Sequence, residues 1–76
     1  MTCCTGGRID HAHHDTYARR ALEETLAMEK AIKATMELVN LDETLIVVTA
    51  DHAHVMTVNG YPIRGTDILG KQIMKC

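Results

Sequence analysis

Residues 44–54, TLIVVTADHAH, decide how the rest of the chain is read. Leu45, Ile46, Val47 and Val48 form an unbroken apolar run rich in β-branched side chains. Such a run predicts a strand covered on both faces, as in a parallel sheet flanked by helices, because a strand with one wet face would alternate. Directly past its carboxyl end stand Asp51, His52 and His54, at the position where open α/β sheets bind their ligands. A buried-strand signal therefore runs straight into side chains that bind metals, which makes the stretch half of a candidate site.

The other half lies upstream in residues 6–15, GGRIDHAHHD. Asp10 and His14 are four residues apart, so one helical turn sets a carboxylate and an imidazole on one face, with Cβ atoms about 5–6 Å apart. Hard carboxylate oxygen together with neutral imidazole nitrogen is a donor set that zinc accepts without thiolate. The two pairs, Asp10 with His14 and Asp51 with His52, are expected to converge at the carboxyl end of the 45–50 strand. Asp10 also reads as a helix-start residue, whose carboxylate can cap free N–H groups. His13 reads as structural.

Between the two motifs, residues 16–40 carry a helical pattern. Leu22, Thr25, Met28, Ile32, Met36 and Val39 recur at spacings of three and four, and most charges fall elsewhere on the surface. Asn40 supplies a stop. Residues 1–5 read as the end of a strand turned by Gly6 and Gly7. Residues 55–58 give a weaker strand signal, followed by the turn dipeptide Asn59-Gly60. The expected fold class is α/β: a right-handed β-α-β crossover from a mostly parallel sheet flanked by helices.

Composition narrows the function classes. A net charge of −2 and the lack of a basic patch speak against nucleic-acid binding. No run reaches the roughly 18 apolar residues of a membrane span. Cys3, Cys4 and Cys76 are odd in number and lack CxxC spacing, which excludes a zinc ribbon or a thioredoxin-like motif. At 76 residues without Phe or Trp, the core must be aliphatic and methionine, and a chain of this size buries only around 60% of its unfolded surface.

GGRIDHAHH at residues 6–14 and TLIVVTADHAHV at residues 44–55, joined by a helix-patterned stretch and followed by NGYPIRG at residues 59–65, closely resemble the zinc-binding region of alkaline phosphatases, animal members especially. The resemblance covers roughly residues 5–70. It implies a phosphomonoesterase acting through a phosphoserine intermediate with two zinc ions and one magnesium ion. It matches Asp10 and His14 to the ligands of one zinc and Asp51 and His52 to those of the other. It also suggests a place behind the ligands for His11, close to the phosphate, and for His54, expected to hydrogen-bond Asp10.

The departures shape the reading as well. Family members carry a glutamate directly before the two glycines that helps bind magnesium, and this chain has Thr5 there. A hydroxyl is a much poorer magnesium ligand than a carboxylate. Nothing here corresponds to the family's serine nucleophile, so residues 1–76 are expected to be part of one alkaline phosphatase domain, inactive alone. The resemblance further implies small phosphate monoesters as substrates, a homodimeric parent, and a secreted or outer-cell-surface location through a lipid anchor outside this stretch. A self-standing or non-catalytic metal-binding module and a related metallohydrolase such as a sulfatase are the alternatives.

Overall fold

Two segments of the sequence satisfy their own backbone groups locally, and they become the two helices of the structure. The computed structural model describes residues 1–69; Cys76 lies outside the described residues. Helix α1 is Gly7–His14 and helix α2 is Ala18–Leu38. In α1 the charge order suits the helix dipole, with Asp10 in the first turn and His11, His13 and His14 in the last. Eight residues are too few to hold a helix in water, so α1 depends on its packing against α2. Helix α2 is built from strong helix formers and contains neither Gly nor Pro. It ends where Val39 turns extended at φ −111° and ψ 153°. Asn40 then closes a turn, its side chain accepting from the Asp42 N–H at 3.1 Å and its carbonyl from the Glu43 N–H at 3.1 Å.

The junction between the helices is a Schellman turn. The Tyr17 N–H donates to the Ala12 carbonyl at 2.9 Å and the Thr16 N–H to the His13 carbonyl at 3.0 Å. Thr16 occupies the left-handed position at φ 59°. Glycine is usual there, and a β-branched residue costs on the order of 1 kcal/mol to hold. The chain therefore reverses at the first residue of the expected helical stretch, and α1 folds back along α2, which begins at Ala18. The methionine sulfur of Met28 lies close enough to Gly6 that a Cβ at Gly6 would stand 2.6 Å from it. The value of Gly6 is this close approach, and the left-handed glycines are Gly60 at φ 87° and Gly65 at φ 92° instead.

The interface uses small residues. Ala12 on α1 and Ala21 on α2 are the only buried residues among the described residues. Of the expected apolar stripe, Met28, Ile32 and Val39 are half-buried, while Leu22 and Met36 are exposed. The radius of gyration is 17.1 Å, where a compact chain of this length has about 11 Å.

The expected α/β fold is corrected by this architecture: the described residues hold two helices and no strand. A strand exists only through hydrogen bonds to a neighbouring strand, and the segments 1–5, 44–50 and 55–58 find none. The apolar run is bare, with Leu45 88% and Val47 74% exposed. The expected capping role of Asp10 is also corrected. Gly6 is the N-cap, without a side-chain hydrogen bond, and Asp10 lies inside the first turn of α1.

Candidate metal centre

The i,i+4 spacing on α1 does what one helical turn dictates. His14 Nε2 lies 3.5 Å from Asp10 Oδ1. Both residues face the segment that follows the apolar run, and this segment brings two further imidazoles to the same carboxylate oxygen. His52 Nε2 lies 3.6 Å from Asp10 Oδ1 and His54 Nε2 lies 3.9 Å from it. Asp51 joins through His52, with its Oδ2 at 3.6 Å from His52 Nε2 and its Oδ1 accepting the His52 backbone N–H at 3.1 Å. Residues more than thirty positions apart in the chain thus meet around one atom.

Local hydrogen bonds fix which ring nitrogens face that atom. His52 Nδ1 is 2.9 Å from the Ala53 carbonyl, and His54 Nδ1 is 3.0 Å from the Val55 carbonyl. A carbonyl only accepts, so in the neutral rings the N–H sits on Nδ1 and the lone pair on Nε2. Both lone pairs then point towards Asp10. The Ala53 carbonyl and then the charge of Asp51 raise the pKa of His52 above its ordinary value, against an opposing effect of desolvation, with the charge of Asp10 as the least of the causes.

Asp10 Oδ1 is buried and makes no hydrogen bond. The three imidazole nitrogens around it stand beyond hydrogen-bond length yet close to the roughly 3.4 Å that separates two donors on a tetrahedral zinc with bonds of about 2.0–2.1 Å. A buried anionic oxygen faced by nitrogen lone pairs is unfavourable until a cation stands between them. The donor set and its spacing therefore fit a divalent metal. One donor atom each from Asp10, His14 and His54 lies within 4.8 Å of the other two.

Other expected residues fall elsewhere. His11 is exposed on α1 and lines a shallow hollow with Arg8, Ala12, Asp15, Arg20 and Glu24. Thr5 is exposed and offers only a hydroxyl, a donor that does not fit magnesium's demand for carboxylates. His54 belongs to the cluster, but at 3.9 Å it makes no hydrogen bond to Asp10. His13, read from the sequence as structural, stacks flat on His54 with ring centroids 4.8 Å apart and an interplanar angle of 11°. The signal for that contact was weak: a histidine three residues after Asp10 and one before His14, with no pattern of its own. Val55, Met56 and Thr57 share a hollow with His13, Thr16 and Tyr17, which seats the segment after His54 on the turn between the helices.

Comparison with known proteins places this sequence in a family. The profile of the family described as alkaline phosphatase matches residues 3–76. Over 65 residues, 86% of this chain, the sequence is 62% identical to the membrane-bound alkaline phosphatase of Bombyx mori and 57% identical to alkaline phosphatase 4 of Drosophila melanogaster. It is 51% identical over the same length to the human tissue-nonspecific isozyme of alkaline phosphatase. The chain spans only 11–12% of the length of these relatives. No solved structure matches it. With a profile match over nearly its whole length, the chain belongs to the alkaline phosphatase family.

Proposed function

We propose that this chain is the metal-donor segment of a phosphomonoester hydrolase, part of a longer alkaline phosphatase domain. Asp10 and His14 would hold one zinc ion, and Asp51 and His52 a second. The observation that carries the reading is Asp10 Oδ1, buried and unpartnered among imidazole nitrogens at 3.5, 3.6 and 3.9 Å. Zinc bound there would supply Lewis-acid charge against an anionic phosphate monoester. The chain's own part is to position donors: one turn of α1 sets Asp10 beside His14, and the carbonyls of Ala53 and Val55 hold the rings of His52 and His54 with Nε2 turned inward. No magnesium role is assigned to Thr5.

The 76 residues contain no serine, so a phosphoserine intermediate would form on a residue outside this stretch. The printed name of the Bombyx mori relative, membrane-bound alkaline phosphatase, supports a membrane or extracellular location for the parent protein. Among the described residues no helix is long and apolar enough to cross a membrane. In this reading attachment comes from a lipid anchor outside the stretch, and the parent is a homodimer.

The test has two arms. In the parent enzyme, Asp10→Ala and Asp51→Ala should each lower turnover of a generic aryl phosphate by at least about 100-fold with a matching loss of bound zinc, more than the 10- to 100-fold typical of groups behind the ligands. The isolated chain with added zinc should show no turnover. Full zinc content in both variants would sink the metal-donor reading. Zinc-dependent turnover by the chain alone, abolished by Asp51→Ala, would sink the view that the chain is only part of the catalytic unit.

A further inference from the structure

The asparagines of the chain are Asn40 and Asn59, and the structure holds the first and leaves the second open. Asn40 closes the turn after α2. Its side-chain oxygen accepts the Asp42 N–H at 3.1 Å, its carbonyl accepts the Glu43 N–H at 3.1 Å, and the branched side chain of Leu41 follows it. Asn59 has none of these restraints. It is exposed, and among the described residues neither its side-chain amide nor the Gly60 N–H takes part in a hydrogen bond. Gly60 is exposed as well and sits at φ 87°, in the left-handed region that glycine enters without steric cost.

The chemistry of the pair follows from its bonds. The Asn59 side chain is just long enough for its Cγ to be reached by the next backbone nitrogen, which closes a five-membered ring. A side chain on the following residue crowds that approach, and a hydrogen bond on either group holds it off. Gly60 brings no side chain, and the exposed bend has no buried contact to break when the backbone rotates into place. Asparagine is thermolabile for this reason, and its lability depends on the neighbour that follows it.

We infer that Asn59-Gly60 is a self-modification site, at which the Asn59 amide is lost and an aspartyl or isoaspartyl residue takes its place while Asn40 stays intact. The Gly60 nitrogen forms a bond to Asn59 Cγ, the bond from Cγ to Nδ2 breaks, and Nδ2 leaves as ammonia with the proton given up by the Gly60 N–H. Water then opens the cyclic imide. Breaking the new bond between the Gly60 nitrogen and Cγ restores the main chain and yields aspartate. Breaking the bond from that nitrogen to the Asn59 carbonyl carbon routes the main chain through Cβ and Cγ and yields isoaspartate. Water is the only co-reactant, and nothing is oxidised or reduced. Because the Gly60 nitrogen must shed its proton to attack, the rate rises with hydroxide.

Either product adds one negative charge to a chain of net charge −2. The extra backbone carbon of the isoaspartyl form falls just past Thr57, which together with Val55 and Met56 is seated against His13, Thr16 and Tyr17. The site stands apart from the metal-donor reading, since neither residue belongs to the cluster around Asp10.

The experiment holds the full 76-residue chain at neutral and at alkaline pH and samples it over time. Peptide mapping by mass follows the replacement of NH2 by OH, and a protein isoaspartyl methyltransferase labels the isoaspartyl form. The free peptide VNGYPIR, residues 58–64, sets the unrestrained rate. First-order conversion is expected in the fragment that holds residue 59, at the rate of the free peptide and faster at alkaline pH, with Asn40 unchanged. Asn59→Gln should abolish it, because the longer side chain must close a six-membered ring, and Asn40→Gln should leave it as it was. The native chain measured against its own peptide decides the matter without relying on the fold of any variant. Conversion far slower than in the peptide, conversion at Asn40 as fast as at Asn59, or an acidic species that persists in Asn59→Gln would each overturn the inference.

Discussion

The helical pattern of residues 16–40 and the apolar run of the expected 45–50 strand were both read from the sequence as regular elements, and only the first became one. Asp10 and His14 meet because one turn of α1, held against α2, places them together. Leu45, Val47 and Val48 stay open to solvent because a strand is completed only by a neighbour. A signal whose partners lie within four residues is realised locally. One whose partners lie on another segment is realised only if that segment is at hand.

Acid should break the comparison hardest, because it attacks the cluster and spares the run. His52 carries a raised pKa, so its proton is stabilised in the folded arrangement. That stabilisation is complete below the ordinary imidazole value of 6.5 and is lost as pH rises through the raised folded value. A metal at Nε2 needs the opposite protonation state. Uptake at the Asp51–His52 pair should therefore weaken as pH falls through a value above 6.5, by about tenfold per pH unit below it for one displaced proton. Zinc titrations of the parent enzyme at several pH values, with His52→Gln alongside, measure this. A midpoint below 6.5, or one that His52→Gln leaves in place, would remove His52 from the account.

Much of the site was legible in the sequence for the same reason the helix was. The spacing of Asp10 and His14 and the clustering of Asp51, His52 and His54 needed only local geometry. The convergence of the two halves was an expectation from two motifs, and the structure brings their side chains to 3.6 Å. What was not legible depends on contacts that no period encodes. The tautomers of His52 and His54 follow from backbone carbonyls, and the stack of His13 on His54 follows from where the Thr16 turn sends the chain. The fold class failed because the 45–48 run was read as its own evidence for a sheet.

A smaller effect tests whether hairpin packing places the cluster. Ala21 is 1% exposed against α1, and Ala21→Leu adds three carbons where none fit. Overpacking of this kind typically costs 1–3 kcal/mol. The expected outcome is lower helicity by circular dichroism and weaker zinc uptake together. Weaker uptake with unchanged helicity would mean that the residue acts on the site by another route.

Thr16→Gly should work in the opposite direction and more gently. Relieving a β-branched residue at φ 59° should stabilise the hairpin by about 1 kcal/mol, offset in part by the greater freedom of glycine in the unfolded chain. A higher urea midpoint with an unchanged slope is the expected result. A lower midpoint would show that the Thr16 side chain contributes more than its backbone strain costs.

The smallest effect falls in the run itself. Val47 is 74% exposed and packs on nothing that would be lost by shortening or polarising it. Val47→Thr keeps the β-branched shape and replaces a methyl group by a hydroxyl, a change that costs well over 1 kcal/mol in a core through desolvation and is close to neutral in water. In this chain the urea midpoint should move by no more than the roughly 0.5 kcal/mol usual at surface positions, and zinc uptake should not change. The result is informative because the neighbouring cluster begins at Asp51, only four residues on. A loss of more than about 1 kcal/mol would show that the run is packed in solution, and the contrast between a self-sufficient hairpin and an unpartnered run would then no longer describe this chain.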